Sequence, residues 1–118
     1  MEFARRPRTQ TLRVARAVAR EVRERDGGLP GVRALGLEGG GRAQVSMNLI
    51  DLQKTPIPTA LEAVRSAAAR RGRTVESTEL VGLAPLEAIL QVARHYLGLR
   101  ELEAAHILEM RLLDRPAS

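Results

Sequence analysis

This sequence predicts an α+β fold of the ferredoxin-like type: a four-stranded antiparallel sheet (βαββαβ) with helices on one face and two extra C-terminal helices. Three observations carry that expectation. Two stretches of helical apolar periodicity, each stopped by glycine, alternate with short segments of strand pattern. A glycine-rich loop joins two of those segments as a hairpin. The resulting order, β-α-β-β-α-β-α-α, is met by two β-α-β units joined through that hairpin, and the crossover rule fixes their hand. At 118 residues the chain is sized for one core and not two, so residues 1–118 are expected to form a single domain.

Glu2 to Pro7 is short and charged, acceptable only as a weak or edge strand, because Pro7 cannot donate to a ladder. Thr9 or Thr11 can cap a helix running to about Arg25, with Leu12, Val14, Ala15, Val18, Ala19 and Val22 on one face. Asp26-Gly27-Gly28 stops it, and Pro30-Gly31 marks a loop. Val32 to Leu37 and Ala43 to Ile50 read as strands around the hairpin loop Glu38-Gly39-Gly40-Gly41-Arg42. A helix follows with Thr55 as its cap and Pro56 or Pro58 in its first turn. Its buried stripe is Ala60, Leu61, Val64, Ala67 and Ala68, and Gly72 ends it. Arg73 to Thr78 gives a fourth strand, and Pro85 opens a helix expected to bury Leu86, Ile89, Leu90, Ala93 and Leu97 up to Gly98. A last helix, about Arg100 to Leu113, is amphipathic through Leu102, Ala105, Leu108 and Leu112.

Composition narrows the function classes. Cysteine is absent, which removes disulfide frameworks, thiol nucleophiles and cysteine-based metal sites together. The longest uncharged apolar-rich stretch, Leu80 to Leu86, falls far short of the roughly 20 residues that span a membrane. No apolar h-region follows the N-terminal arginines, so a cytoplasmic location is expected. The net charge of +5 sits in one segment: residues 1–25 hold eight arginines against three glutamates, and the other 93 residues balance. Arg13, Arg16, Arg20 and Arg23 line one edge of the first helix, partly offset by a Glu21–Arg25 pair at i,i+4. Only two aromatics, Phe3 and Tyr96, are present. With so few stacking platforms and no base-reading residues on that helix, the arginines count as a solvated face rather than a nucleic-acid site.

Gly39-Gly40-Gly41 lies between two strands, with no helix N-terminus behind it to bind phosphate. His95 and His106 show neither metal-ligand spacing nor an orienting partner, so no metal site and no catalytic residue is assigned. The polar constellation is more informative. Gln44, Ser46 and Asn48 share one strand face, opposite Val45, Met47 and Leu49, and Ser77, Thr78 and Glu79 sit at the end of another strand. On the open face of the sheet these groups are either ordinary solvent-facing alternation or one wall of a cleft suited to a heterocyclic ligand.

Ala43-Gln44-Val45-Ser46-Met47-Asn48-Leu49, Lys54-Thr55-Pro56 and Ser77-x-Glu79-Leu80-Val81-Gly82-Leu83-x-Pro85 together resemble the C-terminal subdomain of glutamate formiminotransferase. Gly27-Gly28-Leu29, Val32-x-Ala34-Leu35-Gly36 and Ile107-Leu108-Glu109 match as well, so the resemblance runs from about Phe3 to Leu113. It implies two α/β subdomains whose sheets face each other across a groove holding folate and its polyglutamate tail. It also implies transfer of a formimino group from formiminoglutamate to tetrahydrofolate. Gln44, Ser46 and Asn48 match the family's Gln-x-Ser-x-Asn strand, and Glu79 its Glu or Gln beside the Val-Gly-Leu turn; Ser77 and Gly82 complete the implied ligand-binding set. Two departures stand out. The family's acid/base histidine belongs to an N-terminal subdomain that this sequence lacks, and neither His95 nor His106 falls on it. The family's first strand is apolar with asparagines, where this sequence reads Phe3-Ala4-Arg5-Arg6-Pro7. The expectation is half of a folate groove, inactive without an N-terminal module or a second copy. The alternative is a non-enzymatic interaction module that self-associates through the same face.

Overall fold

A computed structural model describes residues 2–3 and 8–113, with side chains at 2–3 and from residue 11 onward. The remainder of the expected first strand, residues 4–7, lies outside the described residues. The described chain falls into two compact units, one ending at Gly82 and one beginning at Leu83.

In the first unit, β1 (Glu2–Phe3), β2 (Val32–Gly39), β3 (Arg42–Leu49) and β4 (Val75–Ser77) form one antiparallel sheet in the order β2-β3-β1-β4. Helices α1 (Arg8–Val22) and α2 (Ile57–Ala69) complete the βαββαβ order. This is the ferredoxin-like arrangement expected from the sequence. Of the two readings of the first strand, weak or edge, the structure takes the first: β1 is two residues long and lies inside the sheet, between β3 and β4. The crossover through α1 skips one strand position, and the hairpin returns β3 to fill it beside β1.

The β2–β3 hairpin is longer than expected, its register running from Val32↔Leu49 to Gly39↔Arg42. Its turn is only Gly40-Gly41, with φ of +59° and +77°. Two successive positive φ values match the right-handed twist of the flanking strands and favour glycine at both places.

Strand alternation sends Phe3, Val32, Ala34, Ala43 and Val45 to one side, where they meet Ala15, Val18, Ala19 and Val22 of α1 and Val64, Ala67 and Ala68 of α2. Fully burying side chains such as Val18 or Val64 contributes about 1.5–3 kcal/mol each. The small residues let helix and sheet approach closely, most of all at Gly36, where a Cβ would lie 2.5 Å from the backbone nitrogen of Arg16. The expected cap residues Thr9 and Thr11 fall inside α1, which begins at Arg8; Thr11 is buried there. The far end closes as expected: Leu29 N–H donates to the Val22 carbonyl, and Gly27 takes φ of +85°.

Thr55 does not cap α2. Its hydroxyl is buried and donates to the Pro30 carbonyl at 2.6 Å, tying the entrance of β2 to the start of α2, while Pro56 occupies the N-cap position. Leu61 is half-buried; Ala60, Val64, Ala67 and Ala68 are buried as expected. Arg73 N–H donates to the Ala68 carbonyl around Gly72 (φ +69°), the usual glycine closure of a helix.

In the second unit, α3 (Leu86–Leu97) follows Pro85 and stops at Gly98, but its packing departs from the expected stripe. Ala88 and Leu90 are buried, whereas Leu86, Ile89 and Leu97 are exposed. The single helix expected over 100–113 is instead a 3-10 turn at Ala104–His106 followed by a short α4 (Leu108–Leu113), with Leu108 and Leu112 exposed. Two local bonds account for the break. Arg94 Nε donates to the Leu102 carbonyl at 2.7 Å, and Glu103 and His106 cap each other, the Glu103 N–H donating to His106 Nδ1 at 3.0 Å. Both divert backbone groups that a continuous helix would use.

Candidate functional site on the open sheet face

Because Ala43 and Val45 point into the core, Gln44, Ser46 and Asn48 necessarily point to the opposite face of β3. Directly paired residues of antiparallel strands share a face. The register therefore builds a row across all four strands, Leu37–Gln44–Glu2–Ser77, with Leu35–Ser46 and Arg33–Asn48 in the rows beyond.

Glu2 is the hub of the first row. Its carboxylate accepts from Arg42 Nη1 at 3.1 Å, from Gln44 Nε2 at 3.2 Å and from the Ser77 hydroxyl at 3.2 Å. Arg42 Nη1 is shared with the Glu76 carboxylate, also at 3.1 Å. The Arg42 hydrogen bond holds the Glu2 carboxyl below its ordinary value; partial desolvation opposes this, and the Ser77 and Gln44 bonds add to it. Glu2 is thus ionised at neutral pH.

A cavity of about 260 Å³ opens on this row. Its polar lining is Glu2, Gln44, Ser46, Ser77 and Glu79, and Leu80 and Val81 add an apolar side from the segment after β4. Val45 and Met47 complete it; Val45 is buried and Met47 packs against the core, so β3 itself forms that part of the wall. The structure thus brings together Gln44, Ser46, Ser77 and Glu79 of the residues singled out in the sequence. Asn48 shares their face but lies four residues along β3 from Gln44, roughly 13 Å away, and does not line the cavity. Gly82, with φ of +82°, does not line it either. Sequence reasoning missed Glu2. The available signal was its alternation with Phe3, together with a strand order that seats β1 beside the Gln-x-Ser strand.

Elsewhere the charged groups sort differently from the sequence expectation. Glu21 pairs with Arg70 and, at 3.4 Å, with Arg71 of the chain after α2, not with Arg25. Arg23 pairs with Asp26 and donates to the Ala34 carbonyl at 3.4 Å, while Arg13, Arg16 and Arg20 are exposed. His95 stacks edge-on against Tyr96 at 4.8 Å, and both histidines are exposed in the second unit. Among the described residues no group of three or more His, Asp and Glu is arranged to hold a metal ion, and no helix is long and apolar enough to cross a membrane.

Fold and face together define an α+β module with a pocketed polar sheet surface. The profile of the formiminotransferase domain family matches residues 6–112, and the chain belongs to that family. Its relatives include a glutamate formimidoyltransferase of Thermoplasma acidophilum, 39% identical over 88% of this chain and 35% of the relative. A glutamate formimidoyltransferase of Streptococcus pyogenes serotype M1 is 34% identical over 89% of this chain and 36% of its own. The formimidoyltransferase-cyclodeaminase of Mus musculus is 37% identical over 74% of this chain and 17% of its own. The chain therefore spans about a third of the length of the first two relatives.

Proposed function

We propose that residues 1–118 act as one module of a formiminotransferase-type enzyme, corresponding to its C-terminal subdomain, and that the open sheet face is half of a folate-binding groove. The observation that carries this is the cavity beside β1, where Gln44, Ser46, Ser77 and Glu79 converge from three segments on a floor that α1 and α2 leave free. In this reading tetrahydrofolate, the acceptor that the sequence resemblance implies, lies on the face and receives the formimino group of a formimino-amino acid; the relatives' names give the formimidoyl transfer. Gln44, Ser46, Ser77 and Glu79 hold the ligand by hydrogen bonds, and Asn48 and Gly82 serve parts of it beyond the cavity. Proton transfer falls to an N-terminal module facing this one, because neither histidine lines the cavity. The chain alone is then a binding module without turnover, cytoplasmic and independent of metal.

Calorimetric titration with tetrahydrofolate polyglutamate tests this, on the chain alone and mixed with the N-terminal half of a related formiminotransferase. The expected result is binding in both cases and formimino transfer only in the mixture; absence of binding in both overturns the proposal. One observation favours a second reading. Leu35 and Leu37 of β2 are 59% and 45% exposed on the open face, beside Ser46 and Gln44. Exposed apolar side chains flanking a polar row suit a protein surface as well as a ligand. Light scattering that shows a stable dimer, broken by Leu35→Glu, with no folate binding, selects the interaction module instead.

A further inference from the structure

An ionised carboxylate can only accept hydrogen bonds, so whatever touches Glu2 must turn a donor towards it. Gln44 does so with its amide Nε2, and Ser77 with its hydroxyl proton. Ser77 has then spent its one proton at that contact, and Gln44 one of the two N–H groups of its amide. What Gln44 has left for the cavity is the carbonyl Oε1 and a second N–H, and what Ser77 has left is its oxygen lone pairs. Glu79, the third polar group of the lining on this side, is an acceptor throughout. Arg42, the one cation of the cluster among the described residues, does not line the cavity and divides its Nη1 between Glu2 and Glu76. Ser46 keeps the freedom to donate or accept, so the two carboxylates, the Ser77 oxygen and the Gln44 carbonyl leave the lining rich in acceptors and poor in donors.

We propose that Glu2 is a specificity-determining residue that sets the hydrogen-bond polarity of this cavity, fixing it as a receptor for the donor-rich edge of a flat heterocycle. The inference rests on the folate reading and deepens it: the edge received is the one carrying the 2-amino group and the adjacent ring N–H. At about 260 Å³ the cavity lies just under the ~300–1,000 Å³ of pockets that engulf whole drug-sized ligands, so it suits one ring system rather than an entire folate. Leu80 and Val81 give that ring an apolar neighbour. An analogue with a carbonyl in place of the amino group sets an acceptor against acceptors, leaving the polar groups of the site unpaired, and a site built around a donor discriminates strongly against that change. Glu2 acts here through Gln44 and Ser77 as a positioning group, and it belongs to no motif that the sequence resemblance uses.

The test compares pterin (2-amino-4-oxopteridine) with lumazine (2,4-dioxopteridine), in which a carbonyl acceptor replaces the 2-amino donor and ring N1 becomes N–H, and takes tetrahydrofolate as the third ligand, all titrated against the full chain. The expected result is at least a tenfold preference for pterin over lumazine. In Glu2→Gln the preference should fall below threefold, because an amide at position 2 can donate, which lets the Gln44 amide turn over and the Ser77 proton rotate. The ratio of affinities is the readout, since loss of structure alone weakens both probes together. If Glu2→Gln does not fold, Gln44→Leu takes its place; it keeps Glu2, removes one acceptor, and should also narrow the ratio. A wild-type ratio near one, or an unchanged ratio in the folded variant, overturns the inference. Tetrahydrofolate binding without discrimination between the two pteridines removes this inference and leaves the folate reading standing. Failure of all three ligands to bind removes both.

Discussion

Substituting alanine at Gly36 probes the closest approach in the fold. The added Cβ would lie 2.5 Å from the Arg16 nitrogen, 2.6 Å from the Arg16 Cα and 2.7 Å from the Ala15 carbonyl carbon. All three are backbone atoms of α1, so no side chain can swing aside. To restore an ordinary contact of 3.4 Å the helix must withdraw by about 0.9 Å. A gap of 0.5–1 Å forfeits a quarter to a half of each dispersion contact it opens, and α1 supplies Ala15, Val18, Ala19 and Val22 to the core, none more than 2% exposed. Overpacking typically costs 1–3 kcal/mol; backbone atoms on both sides put Gly36→Ala at about 3 kcal/mol. With a urea slope of about 2 kcal/mol/M for a chain this size, the midpoint should fall by roughly 1.5 M. Gly39→Ala is the control, because nothing lies within 4 Å of its Cβ and its φ is not positive; it should stay within about 0.5 kcal/mol. Without the clash, Gly36→Ala would stabilise the fold by restricting the unfolded chain. A variant as stable as wild type, or one matching Gly39→Ala, refutes the placement of α1 on β2.

Thr55→Val should cost about 1–2 kcal/mol in urea unfolding, because it leaves the buried end of the Pro30 contact without its donor; Thr55→Ser should recover most of that, and equal losses in the two variants would contradict the assigned bond. The Glu2 clasp predicts a pH dependence. The folded carboxyl is held below its ordinary value, so its contribution is present in full above the unfolded value of about 4.3 and fades as pH falls through the lower folded value. The gap in urea midpoint between wild type and Glu2→Gln should therefore be widest at neutral pH and close under acid conditions. A gap that stays constant from neutral to strongly acid pH rules out the clasp.

Much of the fold was legible because its signals are local. Alternation in Ala43 to Leu49 set the two faces of β3, and paired glycines marked the hairpin. Gly27 and Gly72 marked two helix ends, and the order of elements then left few topologies open. The errors arose where a local signal met a distant partner. Thr55 before two prolines reads as a cap, yet its hydroxyl bonds a carbonyl 25 residues earlier. Glu21 finds the i,i+4 arginine attractive on paper and pairs with arginines about 50 residues away. In α3 the periodicity correctly groups Leu86, Ile89, Leu90 and Leu97 along one side, but periodicity cannot say whether anything covers it, and three of the four are exposed. Glu2 was missed for a different reason: its alternation with Phe3 becomes a signal only once the strand order seats β1 beside β3.

The site is therefore a product of topology as much as of residue type. Gln44 and Ser46 owe their place to alternation within one strand, but Glu2 and Ser77 meet only because β1 is inserted between β3 and β4, joining residues 75 positions apart. That inserted strand is two residues long in the described structure, anchored on one face by the fully buried Phe3 and on the other by the Glu2 clasp. Neither face suffices alone: Phe3 fixes depth without choosing a register, and the clasp fixes register through part-buried and exposed bonds of modest strength. Detaching β1 would unmake the cavity floor and open the core at the same step. A ligand that bridges Gln44 and Ser77 must then stabilise the sheet as it binds, by the ordinary mass-action term for preferential binding to the native state. For any such ligand, affinity at this face and the seating of β1 are therefore linked, each raising the other.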